Sequence, residues 1–201
     1  MNQTIVTIAL LSTLQIVSAQ ERLSRDEALK YATAVSADAK QLKGTPIATD
    51  VDTQKPVALR EDDYGGMVLP QKNLNTESLA KLAKGEVAPI GQLWLHKLTP
   101  MCDGEAVAPA KLRLVIVSAD GSEATVPQCA LGVRRNTKGA LELVVFGKDK
   151  QPIVAVPLKT IDTKQDLPLD MTAERESDSG RLTLKILGKY QATFQVTELD
   201  V

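Results

Sequence analysis

The chain has 201 residues, of which 43% are hydrophobic and only 3% aromatic, so its core must consist mainly of Val, Leu, Ile and Ala. This length suits one domain with or without an appendage, and it argues against two full-size domains. Lys and Arg total 24 against 25 Asp and Glu, a formal net charge of -1 without a basic block, so we expect no nucleic-acid partner.

Residues 1–19, MNQTIVTIALLSTLQIVSA, have the pattern of a secretory signal peptide. They carry no charged side chain, contain an apolar run from Ile5 to Val17, and end in the small residues Ser18 and Ala19. The alternative is a membrane anchor, but the interrupted run of about thirteen residues is shorter than the roughly twenty that span a bilayer. We expect cleavage after Ala19, a secreted or periplasmic protein, and no transmembrane anchor in the mature chain.

A helix and a linker are predicted over residues 20–55. Ser24 and Glu27 form a capping-box pattern and Gly44 supplies a stop, which predicts one long N-terminal helix over 25–43. Its apolar stripe is mostly alanine and consists of Ala28, Ala32, Val35, Ala39 and Leu42. Such a stripe buries little area and holds the helix only loosely. The helix is therefore expected either to pack on the main domain or to be an arm that docks on a partner or is poorly ordered.

The linker contains an Asp-x-Asp pair, Asp50 and Asp52. Such a pair can bind calcium, but the further oxygen ligands, the central Gly and the final Glu of an EF-hand loop are missing at the required offsets. We therefore expect a solvated turn.

Residues 56–91 are predicted to form a small hairpin and a short second helix that pack on the main domain. The strands are expected over 56–60 and 66–69, on either side of the sequence EDDYG. Asn75 can cap the helix, which should run to Lys84. Its expected buried side is Leu79, Leu82 and Ala83.

Residues 92–201 are predicted to form an antiparallel β-sandwich domain, so the fold class is mainly β. About eight runs rich in Val, Leu, Ile and Thr are each ended by turn residues, a spacing typical of sandwiches. The label immunoglobulin-like is an analogy from this strand count. The expected strands are 92–98, 111–119, 123–133, 140–147, 152–158, 166–175, 181–187 and 190–199.

One hairpin of this domain can be placed in register. The Asp120-Gly121 dipeptide favours a two-residue turn, which sets Val115 opposite Val126. Leu114 and Ile116 then face the other way and are also apolar. We therefore expect this hairpin to be covered on both sides.

The last two strands predict their own connection. Their apolar residues all have even numbers, from Leu182 to Ile186 and from Tyr190 to Val196. The apolar residues of two paired strands must lie on the same face of the sheet. About three residues must therefore connect the strands, with Gly188 in a left-handed or bulged conformation.

Prolines and continuous apolar runs indicate positions within the sheets. Pro127 and Pro157 lack the amide donor of a central strand, so their strands should be edges or carry bulges. Leu143–Phe146 is apolar throughout, which predicts a strand buried on both faces in the middle of its sheet.

The segment QLWLHKLTPMCDG contains the only histidine and the only tryptophan of the chain. Alternation places Trp94, His96 and Leu98 on one face of a strand. His96, Met101 and Cys102 suggest copper, but a blue-copper site needs two histidines. We therefore expect no metal site and no cofactor.

Cys102 and Cys129 are the only cysteines, and an exported chain with an even number meets oxidising conditions. We predict a disulfide between them. The alternative is two small buried thiols.

No catalytic residue is expected. His96 is the only imidazole base, and no GxSxG, P-loop or GxGxxG pattern occurs. Glu174, Glu176 and Asp178 come nearest to the carboxylate pair of a glycosidase, but a solvated acidic edge accounts for them.

Two functions remain. The first is an exported non-catalytic β-sandwich module with a binding or structural role in the envelope or extracellular space, with a protein or envelope component as partner. The alternative is a small-ligand binder or hydrolase with its site between the N-terminal part and the sandwich. A concave pocket favours the alternative, and a flat polar surface favours the first.

Overall fold

The computed structural model describes residues 20–36, 47–119, 121–176 and 178–200. The predicted signal peptide, and the predicted helix beyond residue 36, lie outside the described residues. Within these ranges the chain is mainly β and forms two antiparallel sheets. None of the helices within them is long and apolar enough to cross a membrane.

The described residues form fourteen strands, two α-helices and one 3-10 turn. In chain order they are β1 Glu21–Arg22, α1 Arg25–Ala34, β2 Val57–Glu61, β3 Tyr64–Pro70, α2 Thr76–Ala80, β4 Val87–His96, β5 Leu98–Cys102, β6 Glu105–Ala106, the 3-10 turn Pro109–Lys111, β7 Arg113–Ala119, β8 Ser122–Arg135, β9 Leu141–Phe146, β10 Pro152–Pro157, β11 Lys159–Thr160, β12 Leu169–Glu176, β13 Ser179–Ile186 and β14 Tyr190–Glu198.

The first sheet has the order β1-β2-β3-β4-β8-β9-β10, and β7 pairs with β8 beside this path. The predicted hairpin over 56–91 is β2 and β3, and β3 pairs with β4 from Gly65 opposite His96 to Pro70 opposite Gly91. The hairpin is therefore part of the main sheet, which differs from the predicted separate segment, and the predicted boundary at 91/92 falls inside β4. Isolated hairpins are marginally stable, which favours this incorporation.

The second sheet has the order β12-β13-β14-β5-β6, and β11 pairs with β14. The chain passes from the first sheet to the second at Lys97, which has a φ of 56°. The prediction that Leu98 shares a face with Trp94 is therefore wrong, because Leu98 begins a strand of the other sheet and packs against the central core.

The central core lies between the two sheets. One cluster of buried side chains contains Leu93 and Leu131 from the first sheet together with Leu184 and Phe194 from the second. The sheets therefore pack face to face, as in a sandwich.

The outer face of the first sheet is covered by α1. Ala28 and Ala32 of the helix are buried in one cluster with Met67 and Trp94 of the sheet. Of the two alternatives for the N-terminal helix, the structure shows packing on the domain for residues 25–34.

The predicted capping box at the start of α1 is confirmed. The Ser24 hydroxyl accepts a hydrogen bond from the Glu27 amide, and the Glu27 carboxylate accepts one from the Ser24 amide. The hydrogen bonds from Ser24 lower the pKa of Glu27.

The second helix is shorter than predicted. Asn75 caps it as expected, with its side chain accepting from the Ser78 amide, but the helix ends at Ala80. Leu79 and Leu82 are buried, while Ala83 is exposed.

The register predicted for the β7–β8 hairpin is confirmed, with Ala119 opposite Ser122 and Val115 opposite Val126. The expectation that both of its faces are covered is wrong. Ile116 is 66% exposed and Leu114 38% exposed. Among the described elements β7 pairs only with β8, so this edge strand has a cover on the α1 side alone.

The connection between the last two strands is also confirmed. Ile186 pairs with Tyr190, which leaves three residues between them, and Gly188 has a φ of 65°. The carbonyl oxygen of Thr163 lies 2.2 Å from the place that a Cβ on Gly188 would occupy. This position therefore requires glycine for its backbone and for its space.

The positions indicated by Pro157 and by the apolar run agree with the structure, whereas the prediction for Pro127 is wrong, because β8 lies between β4 and β9 and is not an edge strand. Pro157 lies on the edge strand β10, and Pro127 lies just beyond Gln128, where the pairing of β8 with β4 ends. Leu143–Phe146 is fully buried in β9, between β8 and β10.

Candidate functional site

A cavity of about 430 Å³ lies between α1, the β7–β8 hairpin and the outer face of the first sheet. We call it the outer cavity. Its size falls within the range of small-molecule sites. Its apolar lining comes from all three elements and includes Val35, Ala58, Met67, Trp94, Val117, Ala124 and Val126.

The outer cavity exists because two paired strands separate. The pairing of β4 with β8 ends where Trp94 lies opposite Gln128. Residues 122–127 of β8 then pair only with β7, while β4 continues through Leu95 to His96. The gap between the diverging strands is the cavity. The helix α1, which contacts β7, covers this gap on the outer face of the first sheet.

The floor of the outer cavity is held by a buried polar network. The Trp94 indole N–H donates to Gln92 Oε1 at 3.2 Å, and Gln128 Nε2 donates to the same oxygen at 3.2 Å. Gln92 Nε2 in turn donates to Thr49 Oγ1 at 2.8 Å. Because these side chains are buried, the network fixes the orientation of the indole ring.

This network was not predicted from the sequence, although the sequence contains a signal for it. Gln92 and Gln128 are amides inside otherwise apolar runs, PIGQLWL and TVPQCAL. Buried amides need hydrogen-bonding partners, so two of them in neighbouring strands indicate a shared polar contact.

The rim of the outer cavity is polar and carries both signs of charge. Arg60, Asp62, Asp63 and His96 lie there. The pKa of His96 is lowered, first by burial and then by the positive charge of Lys97, against the opposing charge of Asp63. The ring therefore favours its neutral form.

This rim does not assemble a nucleophile and its base. Ser122, Asp63 and His96 all line the outer cavity, but no hydrogen bond within the described part of the chain involves the His96 ring. Asp63 is instead paired with Lys97, at 3.1 Å from Oδ2 to Nζ. Among the described residues, Ser122 and His96 therefore lack the hydrogen-bonded contact through which a base activates a nucleophile.

The predicted disulfide is not present, because both thiols are free. Cys129 faces the central core from β8, opposite Leu93, and is completely buried. Cys102 is exposed at the end of β5, where its sulfur lies 3.6 Å from Asp103 Oδ2. The two side chains therefore occupy different environments, and only Cys129 matches the alternative of a small buried thiol.

Two of the three acidic residues of the predicted edge, Glu174 and Glu176, lie in ion pairs. Glu174 Oε2 lies 3.6 Å from a guanidinium nitrogen of Arg181, and Glu176 contacts the same guanidinium. These partly exposed pairs agree with the expected solvated edge.

Both carboxylates of the Asp-x-Asp pair form ion pairs with lysine side chains. Asp50 pairs with Lys72 at 2.9 Å and Asp52 with Lys55 at 3.1 Å. Within the described residues, no three His, Cys, Asp or Glu side chains come together in a way that would hold a metal ion.

Comparisons of the chain with protein-family models, with curated proteins and with solved structures find no match. Function is therefore inferred from geometry. The outer cavity combines an apolar lining, an aromatic floor and a charged rim, which suits a small molecule with an apolar body and a polar end.

Proposed function

We propose that this protein is an exported, non-catalytic β-sandwich module that binds a small, largely apolar ligand in the outer cavity. The observation that carries the proposal is the concave space of about 430 Å³ between α1 and the sandwich, with Trp94 at its floor. It lies between the N-terminal part and the sandwich. This is the place at which the alternative prediction from the sequence put a small-ligand site.

The lining supports an apolar body for the ligand. Met67, Trp94 and Val126 present apolar side chains to the cavity, and burial of apolar area contributes roughly 25 cal/mol per Å². Arg60 and Asp62 at the rim offer partners to a polar end of either sign.

Export and fold label belong to the same proposal. Export is supported by the uncharged apolar run and small-residue ending of residues 1–19. The label immunoglobulin-like rests on analogy with strand number. An exported protein with an apolar cavity suits an envelope component as its ligand.

The experiment uses the only tryptophan of the chain as its reporter. The chain from Gln20 onward is titrated with N-phenylnaphthylamine, a neutral apolar fluorophore that accepts energy from tryptophan. We expect saturable energy transfer from Trp94. Ala124→Phe, which places a ring in the outer cavity, should weaken binding by about tenfold or more, equivalent to about 1.4 kcal/mol.

Thr125→Phe is the matched control. Thr125 is the neighbouring residue on β8, lies opposite Ile116 and is exposed on the other face of the hairpin. This variant should bind like the parent protein. Equal affinity of both variants, or energy transfer that never saturates, would contradict the proposal.

A further inference from the structure

A second cavity, of about 240 Å³, lies at the end of the sandwich between the tip of the β2–β3 hairpin and the second sheet. We call it the end cavity. It lies on the inner side of the hairpin, whereas the outer cavity lies on the α1 side. Its charged lining has an excess of acid, with Glu61, Glu174, Asp178 and Glu198 against Arg60 and Arg175.

Glu61 is the buried acid of the end cavity. Its side chain is 10% exposed, and its Oε1 atom is buried without a hydrogen bond from any described residue. The closest cation is Arg175, whose guanidinium nitrogen lies 3.7 Å from Oε1, beyond hydrogen-bond distance. A buried carboxylate oxygen without a donor is unfavourable, so this position favours a further donor.

The neighbouring charges are already engaged. Arg60 pairs with Glu21 at 3.3 Å, and Glu174 lies 3.6 Å from Arg181. The Arg175 side chain is 55% exposed, so water solvates much of its guanidinium group and weakens its attraction to Glu61. None of these cations donates a hydrogen bond to Glu61 Oε1.

A second carboxylate is held at the same cavity. The Tyr64 hydroxyl interacts with the Glu198 carboxylate, and both residues line the end cavity. The pKa of Tyr64 is raised, mainly by burial and then by this contact with Glu198. The phenol therefore stays protonated, and Glu198 adds negative charge beside Glu61.

The chemistry of this site favours an organic cation over a metal ion. The described acids do not converge as three or more metal ligands. An ammonium group is compact and carries three donors, so it can donate to one buried oxygen and still contact a second acceptor.

We propose that the end cavity binds an alkylammonium group, with the Glu61 carboxylate as its principal acceptor. The group belongs either to a free amine or to a lysine side chain of a partner, because both present the same chemistry. Five residues of the β2–β3 hairpin line both cavities, but the two cavities share no acidic residue, so the proposed acceptor Glu61 belongs to the end cavity alone.

Calorimetric titration of the mature chain tests this proposal. 1,4-Diaminobutane should bind, while butane-1,4-diol, its neutral analogue, should not. Glu61→Gln should weaken the binding of the diamine by about tenfold or more, since a charged acceptor is lost. Glu77→Gln is the control, because Glu77 is an exposed glutamate on α2 that pairs only with Lys81 among the described residues.

Arg175→Gln separates electrostatics from structure. Removal of this nearby cation should strengthen the binding of the diamine several-fold, whereas a merely structural role for the Glu61–Arg175 pair predicts no gain. Unchanged or weaker binding in Arg175→Gln would overturn the proposal, as would equal binding of butane-1,4-diol. This readout decides the matter even where Glu61→Gln fails to fold.

Two further titrations identify the source of the ammonium group. A short peptide with one free lysine that competes with the diamine, while its acetylated form does not, supports a partner side chain. Competition by free amines alone supports a small molecule. Ala124→Phe should leave all of these affinities unchanged. Loss of apolar-ligand binding in the outer cavity can therefore be distinguished from loss of amine binding in the end cavity.

Discussion

The two thiols of the chain have different surroundings, and this difference controls their reactivity. Burial raises the pKa of Cys129 to about 12, so its reactive thiolate is absent at neutral pH. Cys102 is exposed, although burial of its sulfur and the nearby Asp103 raise its pKa as well.

We therefore expect iodoacetamide to modify the folded protein once, at Cys102, and twice after denaturation. Intact mass before and after reduction should be identical. A gain of two hydrogens on reduction would show the disulfide that the sequence suggested and the structure lacks.

His96 gives a second prediction at the same scale. Burial and Lys97 lower its pKa, while Asp63 opposes them, so the neutral ring should persist below the ordinary histidine pKa of about 6.5. A lowered pKa in the folded state means that stability is lost as the pH falls below the unfolded value. The single imidazole resonance makes an NMR titration unambiguous. A pKa at or above 6.5 would show that Asp63 dominates.

At the scale of elements, two glycines with positive φ allow a matched test. Gly188 has a φ of 65° and the Thr163 carbonyl against it, whereas Gly139 has a φ of 86° and open space. Gly139→Ala should lower the free energy of unfolding by about 1 kcal/mol, for its backbone alone. Gly188→Ala should lower it by about 2–4 kcal/mol, because a clash is added. Urea unfolding measures both, and equal losses would contradict the close approach.

The same elements show what the sequence could predict. The connection at Gly188 was predictable because two strands with even-numbered apolar sets have one consistent register. The crossing at Lys97 was not, since a lysine with positive φ has no distinctive pattern. The exposure of Ile116 was also not predicted. Whether a strand face is buried depends on which distant elements pack against it, and local sequence does not show this.

At the scale of the whole molecule, the cavities depend on contacts that no local pattern predicts. The outer cavity requires α1, the β2–β3 hairpin and the divergence of β8 from β4 to meet at one place. The sequence pattern indicated a site between the N-terminal part and the sandwich. However, residues 56–91 were predicted to be a separate segment that packs on the main domain. In the structure these residues form part of the sheet that makes the floor.

The most direct test of the outer cavity is a two-dimensional NMR titration of the mature chain with N-phenylnaphthylamine. The single indole N–H of Trp94 and the single His96 ring report on the floor and the rim. We predict that both resonances shift with one affinity, saturate at one equivalent, and stay unshifted in Ala124→Phe. Shifts confined to the exposed face around Leu114 and Ile116, with the Trp94 resonance unmoved, would contradict the account.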